Sequence, residues 1–151
     1  MNTTKLFCAF FWLACAPQIA RADTAVEQAK QFFNRYMKLE DTFDPASADL
    51  FADSAVIRNT RKYPTGQTRV LTLKGTQFKT LIRQVMPLAK ARNDRNRYSK
   101  IAYKRAGKNV KITAQRYSLL KQYTSPITII VAPVAPKKWL IVEHYSESRP
   151  F

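Results

Sequence analysis

Eight residues near the end of the chain, Trp139 to Ser146, constrain the fold more than any other stretch. They begin with four large apolar side chains in a row, whereas a strand that buries only one face alternates apolar with polar residues. Burying four such side chains contributes about 6–12 kcal/mol before opposing effects, at about 1.5–3 kcal/mol each. The stretch therefore predicts a central strand of a sheet, with protein covering both of its faces.

After Val142 the same strand becomes polar and carries a carboxylate, an imidazole, a phenol and a hydroxyl in succession. In a strand without a bulge, alternate residues share a face, so only one of Glu143 and His144 can point into the interior. This alternation places His144 on the face of Val142 and Glu143 on the face of Ile141. His144 is a candidate general base or hydrogen-bonding group for a ligand near neutral pH, and Glu143 is the other candidate catalytic residue. The alternative is a histidine that is satisfied by a neighbour or lies at a subunit contact.

Residues 1–22 have the pattern of a secretory signal peptide. A lysine near the start is followed by an apolar run of 11 residues, and Ala20-Arg21-Ala22 matches a small-x-small cleavage site. The apolar run is well short of the about 20 residues that span a bilayer. We expect cleavage after Ala22, a mature domain of residues 23–151, and a periplasmic or secreted location.

Both cysteines, Cys8 and Cys15, lie in this leader, and lipoprotein processing at Cys15 is the alternative to cleavage after Ala22. The expected mature chain therefore offers no disulfide, thiol nucleophile or cysteine metal site. With one histidine and its acids crowded near the start, it also lacks the donor set of a metal site. The three glycines fall at predicted turns or junctions, which argues against a glycine-rich nucleotide-binding loop. We expect no cofactor and no metal.

Charge is unevenly distributed along the chain. Residues 54–142 carry 20 lysines and arginines against one acid, Asp94, whereas residues 23–53 carry seven acids and three cations. Such a field attracts anionic lipid or lipopolysaccharide surfaces, nucleic acid or acidic small molecules. Nine of the cations lie between Lys90 and Lys111, so a polyanion-binding basic scaffold is one hypothesis. The expected export disfavours nucleic acid as a partner, and a solvated basic surface without a partner is the alternative.

Periodicity and turn residues predict the order helix, helix, strand, strand, helix and then four strands. A capping box from Thr24 to Glu27 begins the first helix, Asp44-Pro45 begins the second, and Pro87 is expected to kink or stop the third. The predicted strands are 55–61, 68–73, 98–105, 110–120, 127–132 and 139–146, with a basic loop at 90–97. Antiparallel strands segregated from helices indicate an α+β domain with a curved sheet wrapped around the long helices.

Two segments resemble the nuclear transport factor 2-like superfamily, whose cone-shaped α+β fold is shared by ketosteroid isomerases and SnoaL-like polyketide cyclases. Asp49 to Ile57 is similar to its junction of leucine, aromatic, alanine and acid before a buried strand. Trp139 to Ser146, with Pro150 beyond, is similar to the ending of the SgcJ/EcaC-type branch and of the kinase association domain. The resemblance spans essentially the whole mature chain and implies a cystatin-like cone with a cavity and a homodimer. Because the superfamily's activities are diverse, the fold does not choose among them.

Arg116 is in register with Ile112 and Ala114 on the apolar face of its strand. Since an unpaired charge that faces a core is costly, Arg116 should meet a carboxylate, water or an anionic ligand. The resemblance supports this placement, because association-domain relatives carry a pocket arginine on a similar strand. Further side chains expected to line the cavity are Tyr36, Asp53, Arg58, Tyr103 and Tyr145. Packing and capping are their alternative roles.

Three functions are consistent with these residues. The first is an exported module that binds a small anionic or amphipathic ligand in the cone, with Arg116 as the counter-charge. The second is an isomerase, cyclase or dehydratase in which His144 or Glu143 moves a proton, and the third is the polyanion-binding scaffold. Ketosteroid isomerase-like chemistry needs a carboxylate base and a second acid or phenol. Residues 54–142 offer only Asp94 as an acid, so the first function is preferred.

Overall fold

A computed structural model describes residues 18–149 of the chain, and their side chains from Thr24 onward. Most of the predicted signal peptide, residues 1–17, lies outside the described residues. The elements in chain order are α1 (Gln18–Asp41), a short 3-10 helix (Pro45–Leu50), β1 (Phe51–Lys62), β2 (Thr68–Lys74), α2 (Gly75–Arg92), β3 (Asn96–Ala106), β4 (Asn109–Ser118), β5 (Tyr123–Ala135) and β6 (Lys138–Ser148). This order confirms the predicted α+β fold class. Within the described part of the chain, no helix has both the length and the apolar character needed to span a bilayer.

The six strands form one sheet in the order β2-β1-β6-β5-β4-β3. Only β1 and β6 are parallel, and the other neighbouring strands are antiparallel. On β6, Trp139 and Ile141 are buried in the core, whereas Leu140 and Val142 are partly buried on the other face. The central position predicted for this strand is confirmed. Its outer face is less covered than predicted, because the helices pack against the face of Trp139 and Ile141.

Helix α1 supplies much of the core. Its residues Ala25, Ala29, Phe33 and Tyr36 are buried at the three- and four-residue spacing that places side chains on one face of a helix. The predicted capping box at Thr24 is wrong, since α1 already begins at Gln18 and runs through that position without interruption.

Helix α2 begins directly against β1. Gly75 permits this contact, because a Cβ atom there would overlap the backbone carbonyl oxygen of Ala52. Pro87 was predicted to kink or stop this helix. It does not stop the helix, since α2 continues to Arg92. The helix ends at Asn93, whose backbone has a left-handed conformation, and the predicted basic loop shortens to residues 93–95.

A β-bulge decides which polar residues of β6 face the helices. β5 pairs with Glu143 and next with Ile141, which leaves Val142 as the extra residue in β6. The alternation shifts by one residue at this point, so His144 and Ser146 are buried on the same face as Ile141. The predicted grouping of His144 with Val142 is therefore wrong.

Candidate functional site

The helices and the sheet border a partly open cavity of about 390 Å³. This volume is near the lower end of the range of about 300–1,000 Å³ found for small-molecule sites. The wall contributed by β2 and α2 is apolar and includes Leu71, Leu73, Phe78, Ile82 and Met86. The wall contributed by α1, β4 and β6 is polar and includes Tyr36, Glu40, Arg116, His144 and Ser146. The cavity therefore has an apolar side and a polar side.

A wider groove of about 1030 Å³ lies between α1 and the start of β6. It is open to solvent, and its five charged side chains are exposed, namely Glu27, Arg35, Asp49, Lys137 and Lys138. The groove encloses none of the buried polar groups of β6 beyond the bulge. We therefore place the candidate site in the smaller cavity, where buried polar groups converge.

Glu40 lies one residue before the end of α1 and lines the cavity. The Tyr98 hydroxyl donates a hydrogen bond to its Oε2 at 2.5 Å, and the Asn96 amide donates to its Oε1 at 3.3 Å. Burial raises the pKa of Glu40 above its ordinary value, while the Tyr98 hydrogen bond and the Arg116 charge oppose this rise. Glu40 is thus a carboxyl group that keeps its proton to a higher pH than an exposed glutamate.

Two tyrosines border this carboxyl group. Tyr36 stacks on Phe33 with ring centroids 5.7 Å apart, and Tyr98 packs edge-on against Phe33 at 5.6 Å. Burial raises the pKa of both phenols. Both phenols therefore stay protonated at neutral pH and can act as hydrogen-bond donors.

His144 is 4% exposed and packs against two aromatic rings. Its ring centroid lies 5.9 Å from that of Phe51 and 5.7 Å from that of Phe78. Burial first, and the Arg116 charge second, lower the pKa of His144 to about 4. The imidazole is therefore neutral at neutral pH. Its Nδ1 atom is buried and has no hydrogen-bond partner within residues 24–149.

Arg116 reaches the cavity from β4 and is partly buried. Its Nη2 atom donates to the backbone carbonyl of Glu147 at 3.1 Å and to Ser125 Oγ at 3.5 Å. Both acceptors are neutral, and no carboxylate of the described residues forms an ion pair with Arg116. The guanidinium thus places a positive charge beside the cavity without a direct counter-charge.

Three of the eight residues predicted for the site line the cavity, namely Tyr36, Arg116 and His144. The other five do not, namely Asp53, Arg58, Tyr103, Glu143 and Tyr145. Asp53 is exposed and forms an ion pair with Lys79 at 2.6 Å. Tyr103 packs edge-on against Phe33 with centroids 6.5 Å apart, so its ring belongs to the core between α1 and β3.

Glu143, Tyr145 and Arg58 lie together on the outer face of the sheet. The bulge at Val142 turns Glu143 and Tyr145 to that face, and the Tyr145 hydroxyl donates to Glu143 Oε2 at 2.5 Å. Arg58 is paired in register with Tyr145 across β1 and β6. The prediction that these three residues line the cavity is therefore wrong. Of the two candidate catalytic residues, His144 lines the cavity and Glu143 does not.

Glu40 and Tyr98 form a carboxyl and phenol pair that the sequence analysis missed. The signal was present, because Glu40 falls four residues after Tyr36 and seven after Phe33, on the apolar stripe of α1. A carboxyl group on such a stripe must be paired or must line a cavity, since burying it without a partner is costly.

Comparison with known proteins identifies the fold. No family model matches the sequence. No curated protein matches it either. Many solved structures do match in three dimensions.

Three of these structures illustrate the similarity. A nuclear transport factor 2-like protein of unknown function from Pseudomonas putida KT2440 has a TM-score of 0.64 at 12% identity, over 85% of this chain and 89% of its own. A nuclear transport factor 2-like protein with a cystatin-like fold from Novosphingobium aromaticivorans has a TM-score of 0.59 at 14% identity, over 85% and 84%. A protein described as a candidate dehydratase of this family, from Streptomyces avermitilis, has a TM-score of 0.61 at 15% identity, over 83% and 96%.

Proposed function

Since the chain has the nuclear transport factor 2-like fold, with a cavity between sheet and helices, we propose that it binds a small amphipathic molecule with an anionic end. The observation that carries this proposal is Arg116, a partly buried cation at the cavity that pairs with no described carboxylate. Keeping such a charge away from water is costly unless a counter-charge is present. An anionic group on the ligand would supply that counter-charge.

The other cavity residues suit the same kind of ligand. The neutral His144 has an unpartnered Nδ1 that can exchange a hydrogen bond with a polar group of the ligand. The Tyr36 phenol, which stays protonated, offers a further donor. Away from this polar side, Phe78, Ile82 and Met86 provide apolar surface for the rest of the molecule. A cavity with one polar side and one apolar side favours an amphipathic ligand over a fully polar one.

The proposal is tested by the thermal stability of the protein with a panel of medium-chain and aromatic carboxylates. We expect several of them to raise the unfolding temperature of the wild type, because a ligand that binds only the folded state stabilises it. Arg116→Gln should lose at least tenfold in affinity for the same compounds. The matched control is Arg97→Gln, which removes one cation from an exposed position on β3. Equal affinities in the two variants would overturn the proposed role of Arg116.

A second candidate function is proton transfer of the isomerase, cyclase or dehydratase kind. It is favoured by Glu40, a cavity carboxyl group whose pKa is raised by burial, and by the Tyr98 phenol bonded to it. His144 is a weaker base than predicted, because its pKa is about 4. If a bound carboxylate is turned over, Glu40→Gln should abolish the rate while retaining binding. A rate that survives in Glu40→Gln would exclude this candidate.

We also propose that the protein is exported and acts as a homodimer. The support for export is the signal-peptide pattern of residues 1–22, and the support for the dimer is the resemblance to proteins that pair through the outer sheet face. The N-terminal sequence of the protein recovered from cells should begin at Asp23, whereas a start at Met1 or at a lipid-modified Cys15 would contradict cleavage after Ala22. Light scattering should give twice the mass of one chain.

A further inference from the structure

The mouth of the cavity is framed by exposed apolar side chains on β2 and α2. Leu71, Leu81 and Val85 line the cavity and are nevertheless exposed, Leu71 to 51%. Leu88 continues the apolar surface along α2 and is 61% exposed, and Val70, on the other face of the edge strand β2, is 59% exposed. We call these five residues the mouth face. They account for most of the large exposed hydrophobic side chains in the described part of the chain, so the exposure is concentrated along β2 and α2.

Helix α2 has one apolar stripe more than packing requires. Phe78, Ile82 and Met86 lie four residues apart and pack against the core. Leu81, Val85 and Leu88 form a second stripe next to the first, at spacings of four and three residues, and this stripe is exposed. A helix on the surface of a globular protein needs only one such stripe. The second stripe therefore indicates a surface that contacts something else.

The strand β2, which precedes this helix, is also exposed to solvent. β2 is at the edge of the sheet and pairs only with β1. Of its residues only Leu73 is partly buried, whereas Val70 and Leu71 are exposed on opposite faces of the strand. Large apolar side chains on an exposed edge strand favour aggregation unless they form a contact with a binding partner.

The chain segment that carries the mouth face is strongly basic. Residues 54–92, which include β2 and α2, carry nine cations and no acid. Three of these cations pair with acids outside the segment. The remaining six are exposed and form no ion pair within the described residues: Arg58, Arg61, Arg69, Lys74, Lys90 and Arg92. Arg69 and Lys74 lie on the strand of Val70 and Leu71, and Lys90 and Arg92 follow Leu88 on α2.

We infer that the mouth face docks on the surface of a bilayer that contains anionic lipid, with its apolar side chains in the headgroup region and its cations against the headgroups. Apolar side chains with surrounding lysines and arginines are the combination that holds a protein at an anionic membrane surface. A protein partner would need acids at matching positions, whereas a lipid surface neutralises cations wherever they lie. Because the mouth face surrounds the cavity entrance, docking would open the cavity toward the membrane. This last step rests on the proposed ligand-binding function, and the docking itself does not.

The test is flotation of the protein with lipid vesicles. The protein is purified in the form in which cells accumulate it, and mass spectrometry determines its N-terminus, so that all variants share the same leading residues. We expect binding to vesicles of phosphatidylcholine with phosphatidylglycerol, little binding to phosphatidylcholine alone, and weaker binding as salt rises. Failure of the wild type to bind the anionic vesicles would overturn the inference.

A matched pair of double variants locates the contact. Val70→Asp with Leu88→Asp places two acids on the mouth face, whereas Leu120→Asp with Val134→Asp places two acids at other exposed apolar positions, which are 42% and 49% exposed. We expect the first pair to reduce vesicle affinity at least tenfold and the second less than twofold. If the first pair does not fold, Val70→Ser with Leu88→Ser replaces it, with Leu120→Ser and Val134→Ser as the control. Equal losses in the two pairs would mean that only net charge matters and would contradict a docking face.

The same variants separate this inference from the proposed ligand site. Val70 and Leu88 do not line the cavity, so Val70→Asp with Leu88→Asp should keep its affinity for a soluble carboxylate. Arg116→Gln should show the reverse, with weaker carboxylate binding and unchanged vesicle binding. If the mouth-face variant turns a dimer into a monomer and leaves vesicle affinity unchanged, the face is a subunit contact instead.

Discussion

His144, Glu40 and Arg116 line one small cavity, and the Arg116 charge affects the protonation of the other two. Burial favours the neutral form of both His144 and Glu40, so the pKa of the base falls and the pKa of the acid rises. The Arg116 charge lowers both of these pKa values, because it repels a protonated imidazole and attracts a carboxylate. An anion bound beside Arg116 would weaken both effects. The protonation of His144 therefore reports on the charge inside the cavity.

We predict that His144 titrates near pH 4 in the folded protein. Since the unfolded chain binds that proton near pH 6.5, the unfolding free energy is highest above pH 6.5 and falls by about 3 kcal/mol as the pH drops toward 4. The chain has one histidine, so its ring-proton NMR resonance is identified without assignment. In Arg116→Gln the midpoint should move upward. A wild-type midpoint near 6.5 would contradict the burial of the ring.

We predict that Tyr98→Phe lowers the unfolding free energy by about 1–3 kcal/mol at pH 7, because the Glu40 carboxylate loses a donor. Burial raises the pKa of Glu40, so the folded protein holds this proton more tightly than the unfolded chain does. The resulting gain in unfolding free energy is fully present below the ordinary carboxyl pKa and is lost as the pH rises through the folded-state pKa. The Tyr98 hydrogen bond lowers this pKa and so favours the ionised form, and the Tyr98→Phe cost should be smaller at pH 4, where more of Glu40 is protonated. Urea unfolding at both pH values measures it. The control is Tyr117→Phe, at an exposed tyrosine, and similar costs for the two variants would contradict the pairing.

At the scale of whole elements, the sequence predicted the order of helices and strands because turn residues and apolar spacing are local signals. It could not place the bulge in β6. Leu140, Ile141 and Val142 are all apolar, so an extra residue there leaves no polar side chain on the wrong face to reveal it. The face of His144 consequently followed from the structure alone. The sequence also left open whether Pro87 kinks or stops α2, and the helix continues because packing of Ile82 and Met86 outweighs the loss of one helical hydrogen bond.

We predict that Gly75→Ala lowers the unfolding free energy by about 3 kcal/mol, because the added methyl group would overlap the carbonyl oxygen of Ala52 and force α2 away from β1. The comparison variant is Gly107→Ala. That glycine has a left-handed backbone with open space around it, so the cost should be only about 1 kcal/mol. Urea unfolding of both variants gives the ranking. Equal costs would indicate that α2 can shift without loss.

At the scale of the whole molecule, ion pairs connect acids in the first part of the chain to cations in the rest. Asp49 pairs with Arg83 at 2.7 Å and Asp41 pairs with Arg95 at 2.8 Å, in addition to the pair between Asp53 and Lys79. These ion pairs are largely exposed, so each contributes at most about 1 kcal/mol. Most cations of residues 24–149 form no such ion pair, and the full chain carries a formal charge of +16. The composition therefore predicted the excess of positive charge but not which cations would stay unpaired.

We predict that sodium chloride raises the unfolding temperature of the protein. The excess positive charge destabilises the compact state by self-repulsion, and salt screens that repulsion over about 8 Å at 0.15 M. Calorimetry between 0.02 and about 0.5 M salt measures the effect. An unfolding temperature that falls over this range would show that the few ion pairs contribute more than the self-repulsion removes.

The role of Arg116 as counter-charge is tested most directly by the affinity of the protein for octanoate and for octanamide, which have the same chain and differ in charge. Isothermal titration calorimetry gives both affinities for the wild type and for Arg116→Gln. We predict that the wild type prefers octanoate at least tenfold and that Arg116→Gln shows no preference. The same preference in both proteins, or no binding of either compound by the wild type, would contradict a cavity built around Arg116.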